Sequence, residues 1–153
     1  MLTHNVCTVI WRRSPATGEI EMLVVEARSK HPKTGVWTEW RVKFPGGGQD
    51  GPNESIEGTR DREVWQETNL AFLRSKLIWR KVVQNPEEPE HHKYGYLVNF
   101  EDCYGELRNV PKTEPDGDEL RIPGWVPAAT LGRSLFASHQ ALFLAACREL
   151  GVL

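Results

Sequence analysis

Apolar positions along the chain fall into short runs, set apart by Pro/Gly clusters near residues 14–18, 31–35, 45–52, 85–90, 111–117 and 123–127. Val6–Trp11 and Glu21–Ala27 are rich in Val, Ile and Leu and flank Ser14-Pro15-Ala16-Thr17-Gly18, which predicts a strand–turn–strand hairpin. Trp37–Phe44 alternates in part and runs into Pro45-Gly46-Gly47-Gly48, predicting a strand that stops at a glycine-rich loop. Residues 55–69 are highly charged and free of proline, which predicts a helix. Phe72–Val83 and Tyr94–Asp102 predict two strands separated by a Pro-rich loop, and Leu120–Val126 a short strand broken by Pro123-Gly124. Over Ser134–Leu150 the residues Leu135, Leu142, Phe143, Ala146 and Leu150 form an apolar helical face, and Gly151 stands where a helix would be capped. Strands on both sides of a central helix, with a second helix closing the chain, predict an α/β protein with a mixed β-sheet covered on two faces.

Composition narrows this picture. At 153 residues the chain suits a single domain over 1–153, large enough to fold without disulfides. A net charge of −2 argues against nucleic acid or an anionic membrane as the general partner. No apolar run approaches the roughly 18 residues of a membrane span, and the start MLTHNVCTVIWRR is too short and polar for a secretion signal. Cys7, Cys103 and Cys147 are widely spaced and odd in number, so they are expected as reduced thiols in a cytoplasmic protein.

The stretch that carries chemistry is Phe44–Leu70, FPGGGQDGPNESIEGTRDREVWQETNL. Consecutive glycines cost backbone entropy, and serve either a tight turn or a close approach of backbone to a metal or phosphate. Glu63 and Glu67 are four apart and lie one helical turn above each other, on a face shared with Arg60. Adjacent carboxylates repel unless a cation lies between them or one takes a proton. Hard divalent ions want such oxygens. The same residues also describe a solvated charged helix beside a glycine turn.

Gly48, Glu54, Arg62-Glu63-Val64, Glu67 and Leu70 fall at the spacing of the Nudix box, G-x5-E-x7-R-E-U-x-E-E-x-G-U, where U is bulky and apolar; seven of its nine defined positions match. The chain therefore resembles the Nudix hydrolase family. Gly124-Trp125-Val126-Pro127 and the closing helix are similar to common features of the family. The resemblance implies an α/β/α sandwich in which the box forms a loop–helix–loop catalytic motif binding Mg2+ or Mn2+. It puts Glu63 and Glu67 at metal-ligand and base positions, makes Arg62 the residue that holds the box acids, and offers a glycine carbonyl as a further ligand, from Gly46, Gly47 or Gly48, with Gly47 and Gly48 preferred. The implied reaction is hydrolysis of a diphosphate bond in a small-molecule nucleotide, and relatives are often homodimers. Two positions depart from the pattern. Gln66 replaces a Glu and loses a charge, which also fits a degenerate domain that binds a nucleotide or protein without turnover. Asn69 replaces the glycine, but tolerates the left-handed turn.

Outside the box, an acid to take the proton from water is expected in the loop of Glu114, Asp116, Asp118 and Glu119, with Asp116–Glu119 preferred; Glu87, Glu88 and Glu90 are the other set. Arg28, Arg41, Lys43, His92 and Glu119 are the candidate substrate contacts, and Gln66 a weak metal ligand.

Overall fold

The computed structural model describes residues 2–152. Its scaffold is the hairpin of β1 (Thr3–Arg13) and β2 (Ile20–Arg28). The Ser14 hydroxyl closes the turn by accepting from the Ala16 and Thr17 N–H groups, and Gly18 adopts φ 74°.

Val9 and Ile10 are both fully buried although neighbours in a strand must face opposite sides. Each enters a different core. Val9 joins Met22, Val24, Phe44, Leu142, Phe143 and Ala146, whereas Ile10 joins Leu23, Val64, Leu70, Phe72 and Val98. A sheet covered on both faces produces such unbroken apolar runs. The covering helices are α1 (Ile56–Thr68) on the second core and, after the short α2 (Ala128–Leu131), α3 (Gln140–Leu150) on the first. The fold is thus the expected α/β/α arrangement with a mixed sheet.

Within the sheet β1 pairs antiparallel with β2 and parallel with β7 (His91–Asn99), and β7 pairs with β6 (Lys76–Val83). Strand β2 also carries β3 (Arg41–Lys43), β10 (Glu119–Leu120) and β11 (Gly124–Pro127), and β10 pairs with β9 (Lys112–Thr113). A separate ribbon joins β5 (Ala71–Phe72) to β8 (Cys103–Tyr104).

Several boundaries differ from the sequence reading. The glycine-rich loop is a strand, β4 (Gly46–Gly48), antiparallel to β1. A Cβ on Gly46 would stand 2.7 Å from the Cys7 Cα and meet the Val6 carbonyl, so glycine here permits a very close strand contact. The strand expected over Trp37–Phe44 shrinks to β3, with Trp37 making one bridge to Lys30. The final helix starts at Gln140 rather than Ser134, because the Phe136 N–H is committed to the Val42 carbonyl and the Gln140 amide to the Gly132 and Leu135 carbonyls. Cys7, Cys103 and Cys147 are free.

Candidate active site

Helix α1 begins at Ser55, whose hydroxyl accepts from the Gly58 N–H at 2.9 Å. It ends at Asn69 in the left-handed conformation, φ 64°, as the substitution at that position predicts. Its last carbonyls are held from outside the helix. Arg108, almost fully buried, donates from Nε to the Glu67 carbonyl at 2.9 Å and from its backbone N–H to the Thr68 carbonyl at 2.8 Å. Lys112 reaches the Gln66 carbonyl.

Arg62 ties the helix to the preceding segment. Its Nε and Nη2 donate to the two Glu54 oxygens at 2.8 and 2.9 Å, and Nη2 also to the Gly48 carbonyl at 2.8 Å. Nη1 donates to Glu63 Oε1 at 2.9 Å and to Gln66 Oε1 at 3.2 Å. The guanidinium is pushed above its ordinary pKa, Glu54 being the main cause. Glu54 in turn is held down to about 2, chiefly by Arg62 and further by the Thr59 hydroxyl and the Asp50 N–H.

Both box carboxylates face one cleft of about 450 Å3, lined by Lys43, Gly46–Gly48, Arg62, Glu63, Gln66, Glu67, Glu114, Asp116 and Asp118 among others. Glu67 is 2% exposed, accepts from the Gly46 N–H at 2.7 Å and lies 3.2 Å from the Lys43 ammonium. Burial pushes its carboxyl up to about 7 against the opposing pull of Lys43 and Gly46. Burial, the largest single influence, lowers Lys43, but Glu67, Cys7 and Glu63 together outweigh it and the net shift is upward. Glu63 is also raised by burial, with Arg62 opposing and Glu114 adding to the rise.

The β1–β4 ladder decides which glycine carbonyls look outward. The Thr8 N–H donates to Pro45 and the Gln49 N–H to His4, so Val6 and Gly47 form the hydrogen-bonded pair between them. The Gly47 carbonyl, expected as a ligand, is therefore turned into the sheet. The Gly46 and Gly48 carbonyls point outward and accept from Lys43 and Arg62. Gly47 instead supplies bare space, because a Cβ there would stand 2.6 Å from Glu63 Oε1.

The remaining expected residues scatter. Arg28 and Glu119 pair with each other at 2.8 Å, and Arg28 lies over the Trp37 and Trp40 rings. Arg41 lies over Phe136. His92 sits among Glu90, Arg80 and Tyr94 on β7. Of the candidate substrate contacts, Lys43 lines the cleft. Arg60, placed by spacing on the face of Glu63 and Glu67, turns to the Phe72 and Tyr96 rings.

Glu114 lines the cleft together with Asp116 and Asp118 of the acidic loop, outside the preferred set Asp116–Glu119. The β9–β10 hairpin, with the Glu114 N–H donating to Asp118 at 2.7 Å and Gly117 at φ 92°, folds it over the cleft. Its Oε2 is buried without a hydrogen-bond partner, and the nearest cation is Lys112 Nζ at 3.6 Å. Identifying it required the hairpin register, which an acidic loop does not reveal.

Among the described residues no group of three or more His, Cys, Asp or Glu side chains closes into a metal-holding set. The donors present nonetheless suit a hard cation: carboxylates of Glu63, Glu67 and Glu114, the Gln66 amide oxygen and outward glycine carbonyls, all oxygen. Glu114 Oε2, buried without a hydrogen-bond partner, is an oxygen that such an ion would satisfy.

Comparison with known proteins agrees with this arrangement. The MutT NUDIX hydrolase of Burkholderia pseudomallei is 21% identical, with a TM-score of 0.64 over 95% of this chain and 98% of its own. The NUDIX domain of Shewanella oneidensis NrtR, solved with ADP ribose, is 20% identical, with a TM-score of 0.64 over 98% and 89%. The Ap4A hydrolase of C. elegans is 17% identical, with a TM-score of 0.57 over 98% and 99%. At these identities the likeness concerns the fold. No curated protein sequence matches the chain. The NUDIX domain family model, however, matches residues 2–147, so the helix, the glycine strand and the sheet that holds them place this chain in the NUDIX family.

Proposed function

We propose that the protein is a Mg2+- or Mn2+-dependent hydrolase that cleaves the diphosphate bond of a small-molecule nucleotide. The observation that carries this reading is the convergence of Glu63, Glu67 and Glu114 on one cleft beside the outward carbonyls of Gly46 and Gly48. A bound divalent ion would offset the diphosphate charge and acidify a coordinated water. Glu63, with Gln66 and the Gly48 carbonyl, would hold it. Arg62 fixes Glu63 and Gln66 in place. Glu114 Oε2 accepts the proton as the water oxygen attacks phosphorus and the bridging oxygen leaves with its electron pair. Asp116 and Asp118, at the rim, exclude excess anionic groups and help select the substrate. Among the described residues no helix is long and apolar enough to cross a membrane; a cytoplasmic location is the one this reading adopts, with Cys7, Cys103 and Cys147 as free thiols. A homodimer is the quaternary state this reading adopts from the family.

The test is release of a nucleoside monophosphate, or of another nucleotide product, with Mg2+ or Mn2+ over a panel of nucleoside triphosphates, nucleotide sugars and dinucleoside polyphosphates. Wild type should turn over at least one member, and Glu63→Gln or Glu114→Gln should slow it at least about 100-fold with the fold intact. Equal, slow hydrolysis by wild type and variants would instead support a second reading, binding of a nucleotide without turnover. Gln66 at a position where the box carries a carboxylate favours that alternative.

A further inference from the structure

Lys43 is the last residue of β3, placed just before the Phe44-Pro45 corner that leads into β4. Its ammonium lies 3.2 Å from Glu67 Oε2 and donates to the Gly46 carbonyl at 3.2 Å. The other Glu67 oxygen accepts from the Gly46 N–H at 2.7 Å. The most buried acid of the cleft therefore has both oxygens engaged by the chain itself, one by backbone and one by a resident cation. Three acids of the cleft also lie beside cations, whereas Asp116 and Asp118 in its lining form no ion pair among the described residues. Glu63 pairs with Arg62, Glu67 with Lys43 and Glu114 faces Lys112. Position 66 contributes no fourth carboxylate. A carboxylate matched in this way by a resident cation has little free charge left to hold a divalent ion of its own.

We propose that Lys43 is a positioning residue that acts as the built-in counter-ion of Glu67, standing where a second divalent ion would otherwise bind and restricting the cleft to one. The proposal rests on the metal-dependent reading above and adds the number of ions and the residue that sets it. It also reassigns Lys43, a candidate substrate contact, to a role beneath the substrate.

The experiment is a Mn2+ titration of the full chain, following free Mn2+ by electron paramagnetic resonance, with wild type, Lys43→Gln, Lys43→Arg and Glu63→Gln in parallel. Urea unfolding without metal accompanies it. Wild type and Lys43→Arg should bind one Mn2+ per chain. Lys43→Gln should bind a second Mn2+ per chain, and should lose metal-free stability that saturating Mn2+ restores. If Lys43→Gln fails to fold without metal, recovery by Mn2+ or by the added change Glu67→Gln supports the proposal, and failure of both overturns it. Two ions in wild type, or no change in Lys43→Gln, also overturns it. If wild type binds one ion, Glu63→Gln abolishes it and Lys43→Gln changes nothing, this proposal falls while the metal-dependent reading stands. If wild type binds none and Lys43→Gln gains one, the count of one resident ion is wrong and both readings fall. No binding by either ends both.

Discussion

Arg62 touches Glu54, Glu63, Gln66 and the Gly48 carbonyl with one planar group, a geometry that an ammonium cannot reproduce. At Gly47 the matching requirement is for nothing at all, since any Cβ would push into Glu63 Oε1. Gly47→Ala should therefore weaken Mn2+ binding at least about tenfold and cost about 1–3 kcal/mol of stability through overpacking. Calorimetric titration and urea unfolding read the two effects, and unchanged Mn2+ affinity would mean that Glu63 does not hold the ion. Residues one helical turn apart were legible in the sequence, because spacing alone brings Arg62, Glu63, Gln66 and Glu67 together. Arg28, Arg41, His92 and Glu119 were not, because their partners Trp40, Phe136, Arg80 and each other depend on strand register.

At the scale of the element, α1 stands at the site because both of its ends are secured. The start is closed by Ser55 and the end by Asn69, and of the two the left-handed turn at Asn69 was read from the sequence. The outer clamp on the last turn was not, since Arg108 comes 41 residues after Glu67 and sits in no motif. Arg108→Met leaves the Glu67 and Val110 carbonyls without their buried donor. It should cost about 3 kcal/mol, with a lowered Tm measurable by calorimetry. A Tm equal to wild type would show that the last turn of α1 holds by itself. Strand β4 was mistaken for a loop because glycine lacks strand propensity, and here the tight approach to Val6 and Cys7 overrides that tendency.

For the whole molecule, His139 ties the stability of the α3-covered face to pH. It lies in the turn before α3 and its Nδ1 accepts from the Phe44 N–H at 3.3 Å, so the ring is neutral. Burial, with Lys43 and Lys93 adding to it, lowers its pKa from 6.5 to about 4. The unfolded chain takes up this proton before the folded one does. The stability involved is complete above pH 6.5 and drains away as pH falls toward 4, amounting to about 3 kcal/mol. Unfolding free energies from pH 7 to 4 should show this slope, and His139→Asn should flatten it; identical slopes would mean that other groups drive the change. The layered architecture was legible from apolar runs bounded by Pro and Gly. The dominance of β1, which touches β2, β4 and β7, was not, because pairing partners carry no local mark.

That central strand has a consequence for how the chain is made. Thr3 and its neighbour His91 in the parallel ladder are 88 positions apart. At about 5–20 residues per second, the ribosome leaves β1 waiting for several seconds with a greasy flank and open amides before its lifelong companion emerges. Nascent chains stalled ahead of residue 91 should cling to chaperones or clump, and release from them should come abruptly once β7 has cleared the tunnel.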